Sequence, residues 1–471
     1  MSLGFVEGGV DKTKQVSYVL EMPSSSTSPE SRDMLGMFQK AVPPSFFDNW
    51  HRQHNQVRNN SVYSTGVVVW LMIWQRLQGA RTLAAAVQYL LQHGAGDLMG
   101  PNPCKRWSED TVSAGTTSYC EARQKLPTLV ARDVMDRIVE QLQREIQPAY
   151  PVLRRPIFVV DGTSLQMPCT PELEKAFSPG RNQHGENHWP VMRLVVFHDV
   201  FSGMSLRPSW GPYYGDAPVS EQSLAEQALS RLPADAVVVG DGNFGIFAFA
   251  HAVQQSQRLM VLRLTEVRAS KILGRELGAR EDVKLTWTAS RWDCKAHPEL
   301  AGATISGRLI VCPNPSRPGE SLYLFTTLDL RWEQVLDVYK LRWNIETDLR
   351  SLKRTVELHK LTAKSLEMVE KELLLAFAAY NLVRAVMCIT ARRAGVKPRD
   401  LSFSFIQTVL SAALPGLDQA QNDDEFRQRM ERMLRFAAQG KLPKRQRPRS
   451  YPRVVWGRGG SFPSPSRTNK K

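Results

Sequence analysis

No two of the six cysteines, Cys104, Cys120, Cys169, Cys294, Cys312 and Cys388, stand in a CxxC pair. Their scatter argues against a zinc knuckle or a disulfide framework. The longest apolar run, Val67 to Trp74, is far shorter than the ~20 residues that cross a bilayer. The opening stretch MSLGFVEGGVDKTK has neither the basic segment nor the apolar segment of a secretory leader. No internal repeat is visible. A soluble, cytoplasmic protein in a reducing compartment is the expectation. Charged residues at 23% and hydrophobic ones at 42% sit near globular averages and exclude a wholly disordered or collagenous chain. A length of 471 residues leaves room for about three domains.

Acidic residues are missing altogether from Lys441 to Lys471, where ten basic ones occur, two thirds of the net charge of +15. A cationic tail of this kind favours polyanions through counterion release: nucleic acid first, an anionic membrane surface second. A merely solubilising tail is the alternative. Upstream, the Ser/Pro-rich stretch PSSSTSPESR marks residues 1–44 as a flexible arm. Residues 45–150 carry apolar residues at helical intervals and few strand signals, so an all-helical domain is expected. It includes the basic segment from Thr117 to Pro127, suited to phosphates or a major groove, or simply to solvent. Short β-rich runs alternate with helical ones over 151–265, implying an α/β fold with mixed strand direction. A β-rich insertion is expected over 266–328 and helical chain over 329–365. C-terminal helices over 366–440 and a disordered basic tail over 441–471 complete the order.

Asp161 follows the apolar run Ile157-Phe-Val-Val160, and Asp241 follows Ala236-Val-Val-Val-Gly240. Two carboxylates at strand ends of one sheet suit a hard divalent cation, although either could be a turn or cap residue. A helix expected from Val335 to Leu358 offers a third group. At about 100° per residue, Tyr339, Arg342, Glu346 and Lys353 share an arc of about 60°. Val338, Leu341, Ile345, Leu349, Leu352 and Val356 form a separate stripe that can seat the helix on a sheet. A carboxylate with Tyr, Arg and Lys within two turns suits phosphoryl transfer; a plain solvated face is the alternative. Gly240 to Gly245 matches GxGxxG, yet Asp241 would oppose a pyrophosphate there. His184 and His188 imitate a zinc pair inside what reads as a loop.

The spacing Tyr339-xx-Arg342-xxx-Glu346-xxxxxx-Lys353 resembles the Y-R-E-K signature of the IS4 family of bacterial insertion-sequence transposases. The order Asp161, Asp241, Glu346 resembles its DDE triad. Asp161-Gly-Thr163, Ser220-Glu221, Asp241-Gly-Asn-Phe244 and Val261-Leu-Arg-Leu264 agree, and Thr117 to Pro127 is similar to the N-terminal motif, with Arg123 as its basic residue. The resemblance implies a ribonuclease-H-like core with a β insertion between Asp241 and Glu346. It implies Mg²⁺ or Mn²⁺, two ions held by Asp161, Asp241 and Glu346, and cleavage and joining of DNA strands. Double-stranded DNA with terminal inverted repeats, target DNA and a homodimer in a synaptic complex are the implied partners, in a prokaryotic cytoplasm at the nucleoid. Tyr339, Arg342 and Lys353 are implied to hold the transposon end, and a hairpin route would use an aromatic receiver for a flipped base, with Trp287 and Trp292 as candidates. A transposase-derived DNA-binding protein without turnover and a two-metal nuclease without strand joining remain as alternatives.

Overall fold

The computed structural model describes residues 34–56, 61–79, 82–100, 102–145, 153–182, 185–315, 317, 319–359, 361–418 and 422–443. Nearly all of the expected N-terminal arm and basic tail lie outside them, as does His184.

The sheet is built outward from a strand that is apolar on both faces. In β1 (Ile157–Gln166) the first four residues are all buried, as befits a central strand covered by helices on each side. On one flank β1 runs parallel to β5 (Val237–Gly240), and β5 runs parallel to β6 (Leu259–Leu264). On the other it is antiparallel to β3 (Gly185–Asp199), whose outer edge takes β2 (Pro179–Asn182) and β4 (Ser209–Pro212). The order β4-β3-β1-β5-β6, antiparallel and then parallel, fits a ribonuclease-H-like core. The residues on either side of His184, expected to be a loop, are instead paired strands. β3 continues past the core, and Arg181 pairs with Glu186 and Asn182 with Gly185.

The inserted strands extend this same sheet. β9 (Ser321–Thr326) pairs antiparallel with β6, β8 (Thr304–Pro313) with β9, and β7 (Glu281–Thr288) with β8. β9 thereby satisfies backbone groups that an edge at β6 would leave open. Exposed Asp282, Lys284, Thr286 and Thr288 alternate along β7, the pattern of a half-solvated edge strand. Trp287 points to the other side. It is 5% exposed and meets the rings of Phe247 and Phe325 edge-on, at 5.5 and 5.1 Å.

Helices before and after the sheet share one core. The helix Thr65–Gln78 buries its whole VVVWLMIW stretch and ends at Gly79 in the left-handed conformation, a common helix stop. It packs, with the helix Thr128–Glu145, on the long helix Leu366–Ala394. That helix is long and apolar enough to cross a membrane by length and composition, but its apolar stretch is buried inside the protein. Its polar side chains tie the layers together. Asn381 Nδ2 donates to Ser205 O and Asn381 Oδ1 accepts from Ser205 N, each at 2.9 Å, and Tyr380 Oη donates to Gly203 O. At the other end Glu372 accepts from Arg76 and Arg123.

Removing the aromatic plug of the inserted strands should be costly. Trp287→Ala is expected to lower stability by about 3–5 kcal/mol, against a change within about 0.5 kcal/mol for exposed Trp292→Ala, read by chemical denaturation.

Candidate active site

The register of the sheet brings the two aspartates together. Ile157 pairs with Val237, Phe158 with Val238 and Val159 with Val239. Carried forward two residues, the same offset sets Asp161 beside Asp241, where β5 has ended at Gly240. Each aspartate closes its own turn: Gly162 N donates to Asp161 Oδ1 at 2.8 Å and Asn243 N to Asp241 Oδ1 at 2.9 Å. Burial pushes the Asp161 carboxyl up to about 6, and the like charges of Asp241 and Glu221 push the same way, against the Gly162 N–H and Arg342. Two adjacent carboxylates, one held high by burial and crowding, are a donor pair that a divalent cation fits.

The expected single helix is broken into four pieces that follow one another without a gap. The helix Trp332–Lys340 lies against β6, a 3-10 turn covers Leu341–Trp343, the helix Asn344–Arg350 lies against β1, and a π turn covers Ser351–Thr355. The apolar stripe seats as its spacing predicts, with Val338, Ile345, Leu352 and Val356 buried. On the polar side the groups converge unequally. Tyr339 is buried and its hydroxyl pushed up by burial, with Asp241 adding to this and Arg342 and its hydrogen-bond partner Arg263 opposing it. Lys353 is half-buried; burial lowers its pKa while the neighbouring Asp161 carboxylate opposes the shift. Arg342 pairs with Glu346 at 3.8 Å, and its Nε is buried without a hydrogen-bond partner. Among the described residues no three His, Cys, Asp or Glu side chains stand close enough to enclose an ion. The three expected carboxylates thus do not stand as one cluster: Asp161 and Asp241 are neighbours, and Glu346 is paired with Arg342.

Beneath Glu346 lies a group that sequence reasoning missed. Asp348 is fully buried and accepts from Arg399 Nη1 at 3.0 Å and Nη2 at 2.9 Å, and from Arg384 Nη2. Burial alone would raise this carboxyl, but Arg399 and Arg384 outweigh it and hold it below its ordinary value. His198 stands 3.8 Å away. Burial lowers its pKa to about 4, so at neutral pH it is uncharged and hydrogen-bonded to Gly203 O at 3.2 Å.

Residues 153–382 match the family model described as Transposase DDE domain. The stretch spans both aspartates, Glu346 and the buried Asp348. The match covers 230 of the 471 residues, and the chain is similar to IS4-family DDE transposases. It is 26% identical over 410 residues to the transposase InsG for insertion sequence element IS4 of Escherichia coli (strain K12), covering 84% of this chain and 86% of that one. It is also 26% identical over 357 residues to a probable transposase for insertion sequence element IS5377 of Geobacillus stearothermophilus, covering 71% and 81%.

Other expected site residues are placed differently. Arg123 is turned inward: it donates to Glu372 at 2.9 Å, on the side chain that also pairs with Arg76. Trp287 is core packing, so it cannot receive a base without opening the inserted strands. Trp292 is 74% exposed, with Lys295 Nζ 5.7 Å from the centre of its ring. Trp343, 52% exposed and under the Arg342 guanidinium at 5.0 Å, sits nearer Glu346 and was not singled out by its spacing. Asp348 did leave a signal. It falls at about 180° on the helical wheel, at the border of the apolar stripe, where a charge needs an internal partner.

Two substitutions should move the stability of the protein in opposite directions. Asp348→Asn leaves two guanidiniums short of their countercharge and is expected to cost about 3–5 kcal/mol. A carboxyl held at about 6 costs the folded state on the order of 3 kcal/mol when ionised, relative to an ordinary aspartate. Because the folded-state pKa is raised, the cost is full above about pH 6 and absent below about pH 4. Asp161→Asn should therefore stabilise at pH 7 and lose that advantage in acid, as urea denaturation at the two pH values would show.

Proposed function

We propose that this enzyme binds the terminal inverted repeats of an insertion sequence, cuts the DNA at its ends and joins the freed 3′ hydroxyls to target DNA by cut-and-paste. The observation that carries the reading is the β1/β5 register that sets Asp161 beside Asp241, faced by Lys353 and Arg342. Carboxylates and two cations bordering one notch are suited to an anionic backbone whose phosphorus is under attack. Asp161, Asp241 and Glu346 would hold Mg²⁺ or Mn²⁺, and two such ions supply an activated water or 3′ hydroxyl and a stabilised leaving oxygen. Arg342, whose Nη2 stands beside Glu346, orients a phosphate there. Lys353 neutralises a second one beside Asp161, and Tyr339 supports the turn that carries Asp241. No covalent link to the protein is needed.

Sequence-specific contacts are assigned to the helices between residues 45 and 150, and general phosphate attraction to the basic tail. The C-terminal helices, residues 366–440, support pairing of two copies across two DNA ends. Trp292 and Trp343, both exposed, would stack on an unpaired base if the ends pass through hairpins.

The test is strand cleavage and transfer on DNA carrying the repeat that flanks the gene, with and without Mg²⁺. Wild type should nick and join only with metal, whereas Glu346→Gln should lose more than about 100-fold in cleavage and keep end binding. Nicking without joined products would point to a nuclease. Binding without cleavage by wild type would point to a retired enzyme. At subsaturating Mg²⁺, cleavage should fall roughly tenfold per pH unit below about pH 6, where Asp161 takes up its proton.

A further inference from the structure

One carboxylate near the aspartate pair has no part in the expected triad. Glu221 opens the helix Glu221–Ala228, which Ser220 caps by accepting from Ser223 N. Buried Leu224, Ala225 and Ala228 fix this helix on the protein. An acidic residue in a first helical turn often does no more than face the helix dipole. Glu221 does more. Its Oε2 accepts from Asn243 Nδ2 at 2.5 Å, and Gln222 next to it donates to Asn243 O at 2.6 Å and to Asn243 Oδ1 at 2.9 Å. Asn243 in turn closes the Asp241 turn through its backbone N–H.

The other end of the tie is a missing side chain. A Cβ on Gly162 would sit 2.2 Å from Glu221 Cδ and 2.3 Å from Oε1. Gly162 is not among the glycines with positive φ, so its backbone does not call for glycine; the carboxylate above it does. Glu221 thus lies across the residue after Asp161 while gripping the residue two after Asp241.

We propose that Glu221 is a positioning residue: its carboxylate, laid over the bare face of Gly162 and hydrogen-bonded to Asn243, ties the two aspartate turns together and sets the spacing of Asp161 and Asp241. The inference rests on the reading that those aspartates hold a divalent cation. Glu221 acts through them and is not itself a ligand.

The test is Mn²⁺ binding to the full chain without DNA, read by electron paramagnetic resonance, with a thermal melt of each variant. Outer groups that orient metal ligands are typically worth 10–100-fold in affinity. Glu221→Ala, Asn243→Ala and Gly162→Ala are each expected to weaken Mn²⁺ binding by about 10–100-fold. Glu221→Gln, which keeps an oxygen for Asn243, should stay near wild type. Combining Gly162→Ala with Glu221→Ala should weaken binding no further than Glu221→Ala alone, because both break one tie. Wild-type affinity in Glu221→Ala would overturn the proposal. So would a weak Glu221→Gln beside a normal Asn243→Ala, the pattern of a direct ligand. If wild type binds no Mn²⁺, or Asp241→Asn binds it equally well, the metal reading itself fails, whatever Glu221 does.

Discussion

The placement of Glu346 depends on one ion held in the interior. Asp348 sits one helical face away from Glu346 and is gripped by a guanidinium from the helix Leu366–Ala394 and by another from Arg399. Arg399 also donates to the carbonyls of Asp199 and Val200 where β3 ends. Three elements far apart in sequence are thus cross-linked under the segment that carries Glu346. A buried pair of this kind gives little net stability over a well-packed apolar cluster. What it gives here is register. The helix Asn344–Arg350 cannot rotate or slide by a residue without pulling a charge away from its partners in a medium that cannot solvate it.

The same long helix carries this constraint to its own N-terminal end. Lys371 Nζ donates to Gln124 O, Glu372 joins Arg76 and Arg123, and Glu370 meets Arg132. The N-terminal helices are therefore braced on the helix that holds Asp348. Charges that composition suggests for DNA are partly internal struts, because an arginine beside a buried glutamate is worth more to the fold than to a solvated phosphate.

Much of the core was legible because two simple periodicities govern it. The all-apolar runs before Asp161 and Asp241 could only be central strands, and the wheel from Tyr339 to Lys353 separated a seat from a working face. Both readings rest on backbone geometry, which sequence spacing reports directly. What escaped depends on partners remote in sequence. Arg123 looks like any residue of a basic helix until Glu372 is folded against it. Trp287 looks available until Phe247 and Phe325 close on it. The pairing of the strands flanking His184 was hidden because the residues there suggest a loop, while the pairing comes from the continuation of β3. Glu221 was visible as part of a recurring stretch, but nothing local reveals that Gly162 makes room for it.

The unequal lengths of the two central strands have a consequence for how a rigid substrate arrives. β5 stops at Gly240, whereas β1 runs on to Gln166 beside β3 alone, so the sheet has a step and the aspartates stand at its inner corner. A step offers one wall and one open side. A rigid substrate meets the carboxylates from the open side, with the extended part of β1 and β3 as the wall. The inner corner is thus marked by backbone alone, at the last residue of a short strand.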